Sequence, residues 1–248
     1  MYKKVRENKM IFGLHSVIEA IEASKDIEKI YFKRDLSSES VKILFDKAKN
    51  LNIPVQKVPL EKLNFFTEKK HQGVVAFLSE ITYMDITSII PNIYEEGKVP
   101  FVIVLDGVTD VRNFGAIART CECAGVDAIV VSTHKSAASN ADAIKVSAGA
   151  LHHIPICRTE NLANTVKFLK NSGLKIIGIS EKAKYLYTKE EYNIPIALVL
   201  GAEDIGISPE ILKLCESTAK IPVFGQIQSL NVSVAAGIVI YEAVKNRL

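Results

Sequence analysis

Five polar residues beyond residue 100 are of the types that orient a substrate and handle its protons or charge: Asn113, Arg119, Glu203, Ser229 and Asn231. A guanidinium can bind a phosphate or stabilise a forming oxyanion, and a carboxylate can orient an arginine or a ribose hydroxyl. These residues fall in three separate segments, each placed after a predicted strand. Polar groups supplied by three strand ends predict one shared site.

The first segment is Leu-Asp-Gly-Val-Thr-Asp-Val-Arg-Asn-Phe-Gly-Ala-Ile-Ala-Arg-Thr at 105–120. Asn113 stands just before a predicted helix, and Arg119 follows six residues later. Six residues do not stack on one helix face at about 3.6 residues per turn, although both side chains can still reach a shared ligand. The alternatives are that Asn113 only caps the helix, which Gly125 ends, and that Arg119 is a solvated charge.

The second segment is Leu-Val-Leu-Gly-Ala-Glu-Asp-Ile-Gly-Ile at 198–207. Gly201 and Gly206 permit tight turns and a close backbone approach, as a ligand loop requires. Glu203 lies between them at a predicted strand end. The glycine pair alone is weak evidence, because many turns from strand to helix carry glycine.

The third segment covers residues 229–244 and follows Lys-Ile-Pro-Val-Phe-Gly-Gln at 220–226. The triplet Ser229, Leu230 and Asn231 leads into an apolar, small-residue run that predicts a helix capped by Asn231 or Ser229. This helix is apolar on most of its circumference, so it must be buried against something. An ordinary capped core helix is the alternative to a chemical role.

Nearly continuous Val, Ile and Leu runs predict buried parallel strands at 101–105, 128–131, 175–179, 196–200 and 219–223. Helices are predicted between them at 114–124, 161–171 and 209–217. Residues 100–248 therefore form an α/β domain with a doubly wound parallel sheet, whose ligands bind beyond the carboxyl ends of the strands. Neither dinucleotide nor triphosphate glycine motifs occur, which disfavours those ligands.

The first 80 residues alternate strands at 29–33, 53–58 and 74–78 with helices, which predicts a small α/β domain. Residues 81–99 lose periodicity and collect proline and glycine, which predicts a linker with at most one short helix. Residues 1–10 form a basic arm with Lys3, Lys4, Arg6 and Lys9. This arm is able to touch phosphate, but a frayed solvated terminus is an equal alternative.

Composition narrows the class of protein. The 248 residues are 48% hydrophobic and 24% charged, with a formal charge of +3 that permits a polyanionic partner. No apolar run reaches the ~18 residues of a membrane span, and Met1 is followed by Tyr-Lys-Lys-Val-Arg, so we expect a cytoplasmic protein. No C-x-x-C pair occurs, and the scattered cysteines and histidines predict buried thiols and no metal.

The three segments, in this order, resemble the signature motifs of the SpoU family, also called the TrmH family, of RNA ribose 2′-O-methyltransferases. The matching stretches are 113–119, 200–207 and 221–236. The N-terminal half is similar to the L30e-like substrate-binding domain of some members. Its Phe-Gly-Leu-His-Ser-Val at 12–17 and His-Gln-Gly-Val-Val-Ala at 71–76 resemble the branch that methylates a guanosine in the peptidyl-transferase region of 23S rRNA.

The resemblance implies S-adenosylmethionine as cofactor, a deep trefoil knot that binds it, and a homodimer packed through the knotted region. Periodicity shows no knot, and the general rule on chain threading disfavours one. By resemblance, the backbone around a second set of residues would hold the cofactor: Leu200, Gly201, Ile221 and Leu230. The methyl-transfer site would be lined by Asn113, Arg119, Glu203, Ser229 and Asn231.

Arg119 would be the proton acceptor by resemblance, but a guanidinium is nearly always protonated. Binding of a substrate phosphate or of the forming alkoxide is the more cautious role. Lys69, Lys70 and His71 are candidates for contacts to rRNA phosphates, with a solvated turn as the alternative. The same reaction on tRNA or another rRNA site is the second hypothesis, and a non-catalytic RNA-binding or ribosome assembly factor is the third.

Overall fold

The computed structural model describes residues 10–133, 136–137 and 141–248. The basic arm at 1–10, with Lys3, Lys4, Arg6 and Lys9, lies almost wholly outside these residues. The chain divides into two compact units, Met1–Thr82 and Tyr83–Leu248, called here the first and the second unit.

In its described residues the first unit has a four-stranded sheet and three helices, as predicted for a small α/β domain. Its sheet order is β1-β4-β2-β3, with β2 and β3 parallel and the other neighbours antiparallel. The elements are β1 Met10–Phe12, α1 Leu14–Glu22, β2 Ile27–Lys33, α2 Glu39–Asn50, β3 Val55–Val58, α3 Leu60–Phe66 and β4 Val74–Leu78. The three-residue β1 was not predicted, because a strand this short carries almost no periodicity.

The two faces of this sheet are covered to different extents. Side chains alternate between faces along a strand, so Ile30 and Phe32 pack with α1 and α2 in one cluster. Tyr31 and Phe77 point to the other face, where the short α3 contributes the buried Leu63.

The second unit holds an eight-stranded sheet in the order β10-β12-β9-β11-β6-β7-β8-β5, and all its neighbours are parallel. Residues 102–105 of β6 are at most 2% exposed, so this strand is covered on both faces as predicted. The strands are β5 Tyr83–Met84, β6 Phe101–Asp106, β7 Ala128–Ser132, β8 Ile156–Thr159, β9 Lys175–Ile179, β10 Tyr185–Leu186, β11 Ile196–Gly201 and β12 Ser217–Lys220. The helices are α4 Ile86–Glu95, α5 Val111–Cys123, α6 Ala141–Val146, α7 Leu162–Asn171, α8 Pro209–Leu212 and α9 Val232–Lys245, with short 3-10 turns at Ala150–His152 and Tyr187–Lys189.

Residues 81–99 contain the one short helix that the prediction allowed, α4, but they are not a linker, because from Tyr83 onward they belong to the second unit. β5 pairs with β8, and Asp85 caps α4 by accepting a 2.9 Å hydrogen bond from the Thr87 N–H. Helix α4 then contributes to the core at helical spacing, with Ile86, Ile89, Ile90 and Ile93. Pro91 inside the helix obscured this pattern in the sequence.

The last strand ends earlier than predicted, at Lys220 and not at residue 223. Pro222 has no N–H to donate to a neighbouring strand, which opposes continuation of the ladder. The helix predicted at 209–217 is likewise only the four-residue α8. Residues 221–231 are consequently neither helix nor strand, and they are free to form the wall of a cavity.

Arg247 holds the C-terminal end of α9 against the starts of the central strands. Its guanidinium donates hydrogen bonds to the carbonyls of Tyr192 (2.7 Å), Ile194 (2.7 Å), Val99 (2.9 Å) and Pro100 (3.2 Å). Charged hydrogen bonds of this kind are among the stronger ones. They fix the helix whose other end carries Asn231.

The prediction of buried thiols is confirmed for Cys121 and Cys157, whereas Cys123 is exposed and Cys215 is half-buried. Burial raises the pKa of the Cys157 thiol to about 12 and that of Cys215 to about 11. None of the helices in the described residues is long and apolar enough to cross a membrane. Those residues also contain no group of three or more His, Cys, Asp or Glu placed to hold a metal ion.

Candidate active site

Three of the predicted site residues form one hydrogen-bonded network. The Asn113 side-chain N–H donates to Glu203 Oε1 at 2.7 Å, and the Asn231 side-chain N–H donates to the same oxygen at 2.8 Å. Asn231 also donates to Asn113 Oδ1 at 3.0 Å. Residues separated by 90 and 118 positions in the chain therefore meet at a single carboxylate.

Asp110, which sequence reasoning did not select, frees Asn113 for this network. Asp110 Oδ1 caps α5 by accepting hydrogen bonds from the N–H groups of Arg112 (2.7 Å) and Asn113 (3.1 Å). The alternative that Asn113 is only the helix cap is therefore wrong. A cap-type residue directly before Val111, the first residue of the helix, was the signal that could have identified Asp110. Gly125, with a φ of +68°, follows the end of the helix as expected.

Asn231 has two roles in the structure. Its Oδ1 caps α9 by accepting hydrogen bonds from the Ser233 N–H (3.0 Å) and hydroxyl (2.6 Å), while its N–H group serves the network. The predicted cap is confirmed for Asn231 and not for Ser229. Ser233 was not predicted, and its hydroxyl helps to fix the orientation of the amide.

A closed glycine loop presents Glu203 to the network. Ala202 and Gly206 exchange two backbone hydrogen bonds, of 3.2 and 2.8 Å, which close the turn. A Cβ atom on Gly201 would lie only 2.0 Å from the backbone carbon of Gly206. Only glycine fits at this position, so the loop depends on the residue that the sequence singled out.

A cavity of about 370 Å³ opens at the carboxyl ends of β9, β11 and β12. It is lined by all four predicted cofactor residues, Leu200, Gly201, Ile221 and Leu230, and by two of the predicted catalytic residues, Glu203 and Ser229. Its other polar lining comes from Ser180, Glu181, Lys182, Asp204 and Gln228. Ligand pockets commonly combine apolar walls with a few polar groups in this way.

A second, smaller cavity of about 190 Å³ lies on the other side of the glycine loop. Thr109, Asp110 and Asn113 line it after β6. Glu203 and Val232 line both cavities, so the carboxylate of the network lies in the wall between them, and Asn113 faces the smaller cavity. This arrangement can hold two ligands side by side with Glu203 at their boundary.

Arg119 is not brought into the network. It lies on α5 about 120° around the helix axis from Asn113, as the six-residue spacing requires, and its side chain is exposed. Within residues 10–133, 136–137 and 141–248 it forms no hydrogen bond or ion pair, and it lines neither cavity. Helix α5 nevertheless packs against α9, which begins at the network.

The fold and the site together define a class of protein. The sheet is all-parallel, and its cavity and polar network lie beyond the carboxyl ends of its strands. At this point the chain leaves β6 toward β7 on one side of the sheet, and it leaves the neighbouring β11 toward β12 on the other side. Ligand-binding α/β proteins place their sites at such points.

Comparison with known families gives the more specific assignment. The SpoU rRNA Methylase family matches residues 100–241, and the RNA 2′-O ribose methyltransferase substrate binding family matches residues 10–84. One relative, from Staphylococcus saprophyticus, is named as a TrmH family tRNA/rRNA methyltransferase. It is 33% identical to this chain over 97% of each chain. The chain belongs to the SpoU, or TrmH, family, which confirms the resemblance.

Solved structures agree on the fold. An rRNA methyltransferase from Sinorhizobium meliloti, solved with AdoMet bound, has a TM-score of 0.63 and 24% identity, and the match covers 99% of this chain and 91% of that one. A TrmH/SpoU tRNA modifying enzyme from A. aeolicus has a TM-score of 0.56 and 30% identity, with 65% and 83% covered. These similarities confirm the α/β fold, while the trefoil knot stays a prediction.

Proposed function

We propose that this protein transfers the methyl group of S-adenosylmethionine to the ribose 2′-hydroxyl of a guanosine in 23S rRNA. The observation that carries the proposal is the position of Glu203, which lines both cavities and accepts hydrogen bonds from Asn113 and Asn231. Membership of the SpoU family and the match of the first unit to an RNA methyltransferase substrate-binding family support RNA as the acceptor.

The larger cavity suits S-adenosylmethionine because of its volume and because both apolar and polar residues line it. Its volume of about 370 Å³ falls in the range usual for small-molecule sites. Leu200, Ile221 and Leu230 offer apolar surface to an adenine ring, and the absent side chain of Gly201 lets the backbone at Gly206 close the loop beside the cavity. The polar groups at the other lining positions, among them Ser229, can meet the charged methionine end.

The cofactor supplies a methyl group bonded to a positively charged sulfur. When bound, it would let the ribose oxygen displace the neutral thioether S-adenosylhomocysteine from the methyl carbon, with the hydroxyl proton passing to solvent. Residues of this chain contribute by alignment, which alone can supply much of a rate enhancement. We assign the orientation of the ribose to Asn113, Asn231 and Glu203, and a cofactor contact to Ser229.

Arg119 acts, in this proposal, on an RNA phosphate next to the target ribose and outside both cavities, since its side chain lines neither of them. An exposed guanidinium without a protein partner in the described residues is available for an anion. The side chain is free to do this because α5 already has its cap in Asp110 and its packing in other residues.

Incubation with S-adenosylmethionine carrying a tritiated methyl group tests the proposal directly. Unmodified 23S rRNA and unmodified tRNA are used as separate acceptors, followed by nuclease digestion and nucleoside analysis. We expect label in 2′-O-methylguanosine from 23S rRNA. Label in tRNA alone would transfer the assignment to the second hypothesis, the same reaction on another RNA.

The Arg119→Ala variant in the same assay separates an enzyme from a non-catalytic RNA-binding factor. We expect methyl transfer to fall by about 100-fold or more, the scale on which a misplaced reacting group lowers the rate. Cofactor binding should be kept, since Arg119 does not line the larger cavity. Wild-type chain that binds RNA but transfers no methyl group to any acceptor would support the assembly-factor hypothesis instead.

We propose further that the protein is a cytoplasmic homodimer joined through α9 and the segment before it. This region exposes apolar side chains, with Phe224 at 95% and Ile227 at 78% exposure, and one face of α9 leaves Val234 and Tyr241 uncovered. A Cβ on Gly237 would meet no atom within 4 Å in the chain's own described part. A second copy would bury these residues, and light scattering should give twice the chain's 27.3 kDa, whereas a monomer mass would exclude the dimer.

A further inference from the structure

The open face of the first unit's sheet carries a cluster of aromatic rings next to α3, called here the aromatic face: Phe12, Tyr31, Phe65, Phe66 and Phe77. Ring centroids are 4.9 Å apart for Tyr31 and Phe66, 5.2 Å for Phe66 and Phe77, and 6.2 Å for Phe65 and Phe66. Four of the rings are half-buried, and Phe65 is 72% exposed. Among residues 10–82, the seven residues of α3 are too few to cover this face of the sheet, and they leave the Phe65 ring largely exposed.

Lysines lie over these rings. Lys62 Nζ is 5.6 Å from the Phe65 centroid and 5.3 Å from that of Phe66, while Lys69 Nζ is 5.6 Å from the Phe12 centroid. Lys29 Nζ lies 5.3 Å from the Tyr31 centroid. Within the part of the chain that the structure describes, Lys62 and Lys69 form no ion pair. Their charges are therefore available to an anionic ligand.

A cavity of about 460 Å³ adjoins α3 and adds Lys33 and Lys70 to the positive charge around Lys69. His71, only 8% exposed, fixes this arrangement. Its Nδ1 accepts a 3.1 Å hydrogen bond from the Gly73 N–H, so its Nε2–H donates to Asn64 Oδ1 of α3 at 2.9 Å. The earlier expectation of a phosphate contact from His71 is wrong, because both ring nitrogens are engaged within the chain.

We propose that the aromatic face binds unpaired nucleotides of the RNA acceptor, with bases stacked on the exposed rings and phosphates paired with Lys62 and Lys69. The inference rests on the proposed function for the identity of the acceptor as RNA. Single-stranded RNA is recognised by stacking on aromatic rings combined with nearby cations. A base that stacks on a ring displaces the ammonium group toward the adjoining phosphate, which the flexible lysine stem still reaches.

The chemistry of the surface favours nucleotides over a protein partner. The cores of protein interfaces are enriched in aromatic residues but depleted in lysine. Here three lysines lie over the rings themselves, and further lysines line the adjoining cavity. Rings interleaved with cations match the alternation of bases and phosphates along an RNA strand.

The test measures the affinity of the full chain for a fluorescein-labelled single-stranded RNA of about twelve nucleotides by fluorescence anisotropy. We expect Phe65→Ala to weaken binding by about 5- to 100-fold, the usual range for loss of one stacking ring. The double substitution Lys62→Gln and Lys69→Gln should weaken binding and lower the salt slope by about 1.4, corresponding to two phosphates. The Phe65→Ala substitution should weaken the binding of duplex RNA of the same sequence by a smaller factor than it weakens the binding of the single strand.

Matched controls come from the opposite side of the same unit. Phe45 on α2 is 40% exposed, and Lys42 lies beside it. Phe45→Ala and Lys42→Gln change the same residue types without touching the aromatic face, and we expect RNA affinity near that of the wild type. Equal loss in the Phe45→Ala variant, or unchanged affinity in the Phe65→Ala variant, would overturn the proposal. Circular dichroism and cofactor affinity, measured alongside, should be unaltered because Phe65 is largely solvated.

If the wild type methylates RNA and the variants of the aromatic face keep its RNA affinity and KM, the inference fails alone. If the wild type transfers no methyl group yet binds single-stranded RNA through Phe65, the inference stands and the proposed reaction fails.

Discussion

Gly201→Ala is expected to weaken S-adenosylmethionine binding by about 100-fold and to abolish detectable methyl transfer. The added methyl carbon would lie 2.0 Å from the Gly206 carbon and 2.1 Å from the Ile207 nitrogen, which are backbone atoms that cannot rotate away. The loop must therefore shift, and the backbone hydrogen bonds between Ala202 and Gly206 that shape it are lost. Overpacking of this kind commonly costs about 1–3 kcal/mol, and the wall of the larger cavity absorbs the displacement. Isothermal titration calorimetry measures the affinity, and tritium transfer measures the activity.

Gly225→Ala is the matched control for this experiment. It adds the same methyl group in the segment before α9, but that group meets no described atom within 4 Å, and the backbone φ is not positive. Cofactor affinity should stay within about twofold of the wild type, since surface substitutions of this kind have small effects. Wild-type cofactor affinity in the Gly201→Ala variant would show that the glycine loop does not form the binding site.

A site residue could be predicted from the sequence where the residues next to it in the chain already define its role. Asn231 lies directly before an apolar run, so its capping role follows from local sequence, and Gly201 lies at the end of a strand that is apolar throughout. The convergence of Asn113, Asn231 and Glu203 on one oxygen was only a general expectation. It depends on the placement of β6 beside β11, which sequence patterns do not encode.

Other features could not be predicted because tertiary contacts decide them. Asp110 looks like an ordinary loop residue until the start of α5 is known, and only then does it free Asn113. Helix α4 contains a proline, yet it persists because its four isoleucines are buried in the core. The expectation that α9 is buried around most of its circumference is not met by this chain alone, because Val234 and Tyr241 are exposed. In the proposed dimer, the second copy would cover this face.

Asn231→Asp is expected to lower kcat by about 100-fold while leaving the stability of the fold close to that of the wild type. Aspartate caps a helix as well as asparagine does, so one carboxylate oxygen continues to accept hydrogen bonds from Ser233. The other oxygen replaces the group that now donates to Glu203 at 2.8 Å and to Asn113 at 3.0 Å. Two carboxylates then face each other, and the displacement of Glu203 removes the alignment of the ribose. Steady-state methyl transfer gives kcat, and thermal unfolding gives the stability.

Two further variants separate the capping role of Asn231 from its role in the network. Asn231→Ala loses both, so its free energy of unfolding should fall by about 1 kcal/mol, the usual cost of a lost cap, in addition to the loss of kcat. Combining Asn231→Asp with Glu203→Gln exchanges donor and acceptor across the same 2.8 Å contact, because the glutamine amide can donate to the new carboxylate. We expect the double variant to recover about tenfold of the lost kcat, since residues in one network do not act additively. A double variant no better than Asn231→Asp, together with a wild-type Tm for Asn231→Ala, would show that neither the cap nor the network has the role inferred from these distances.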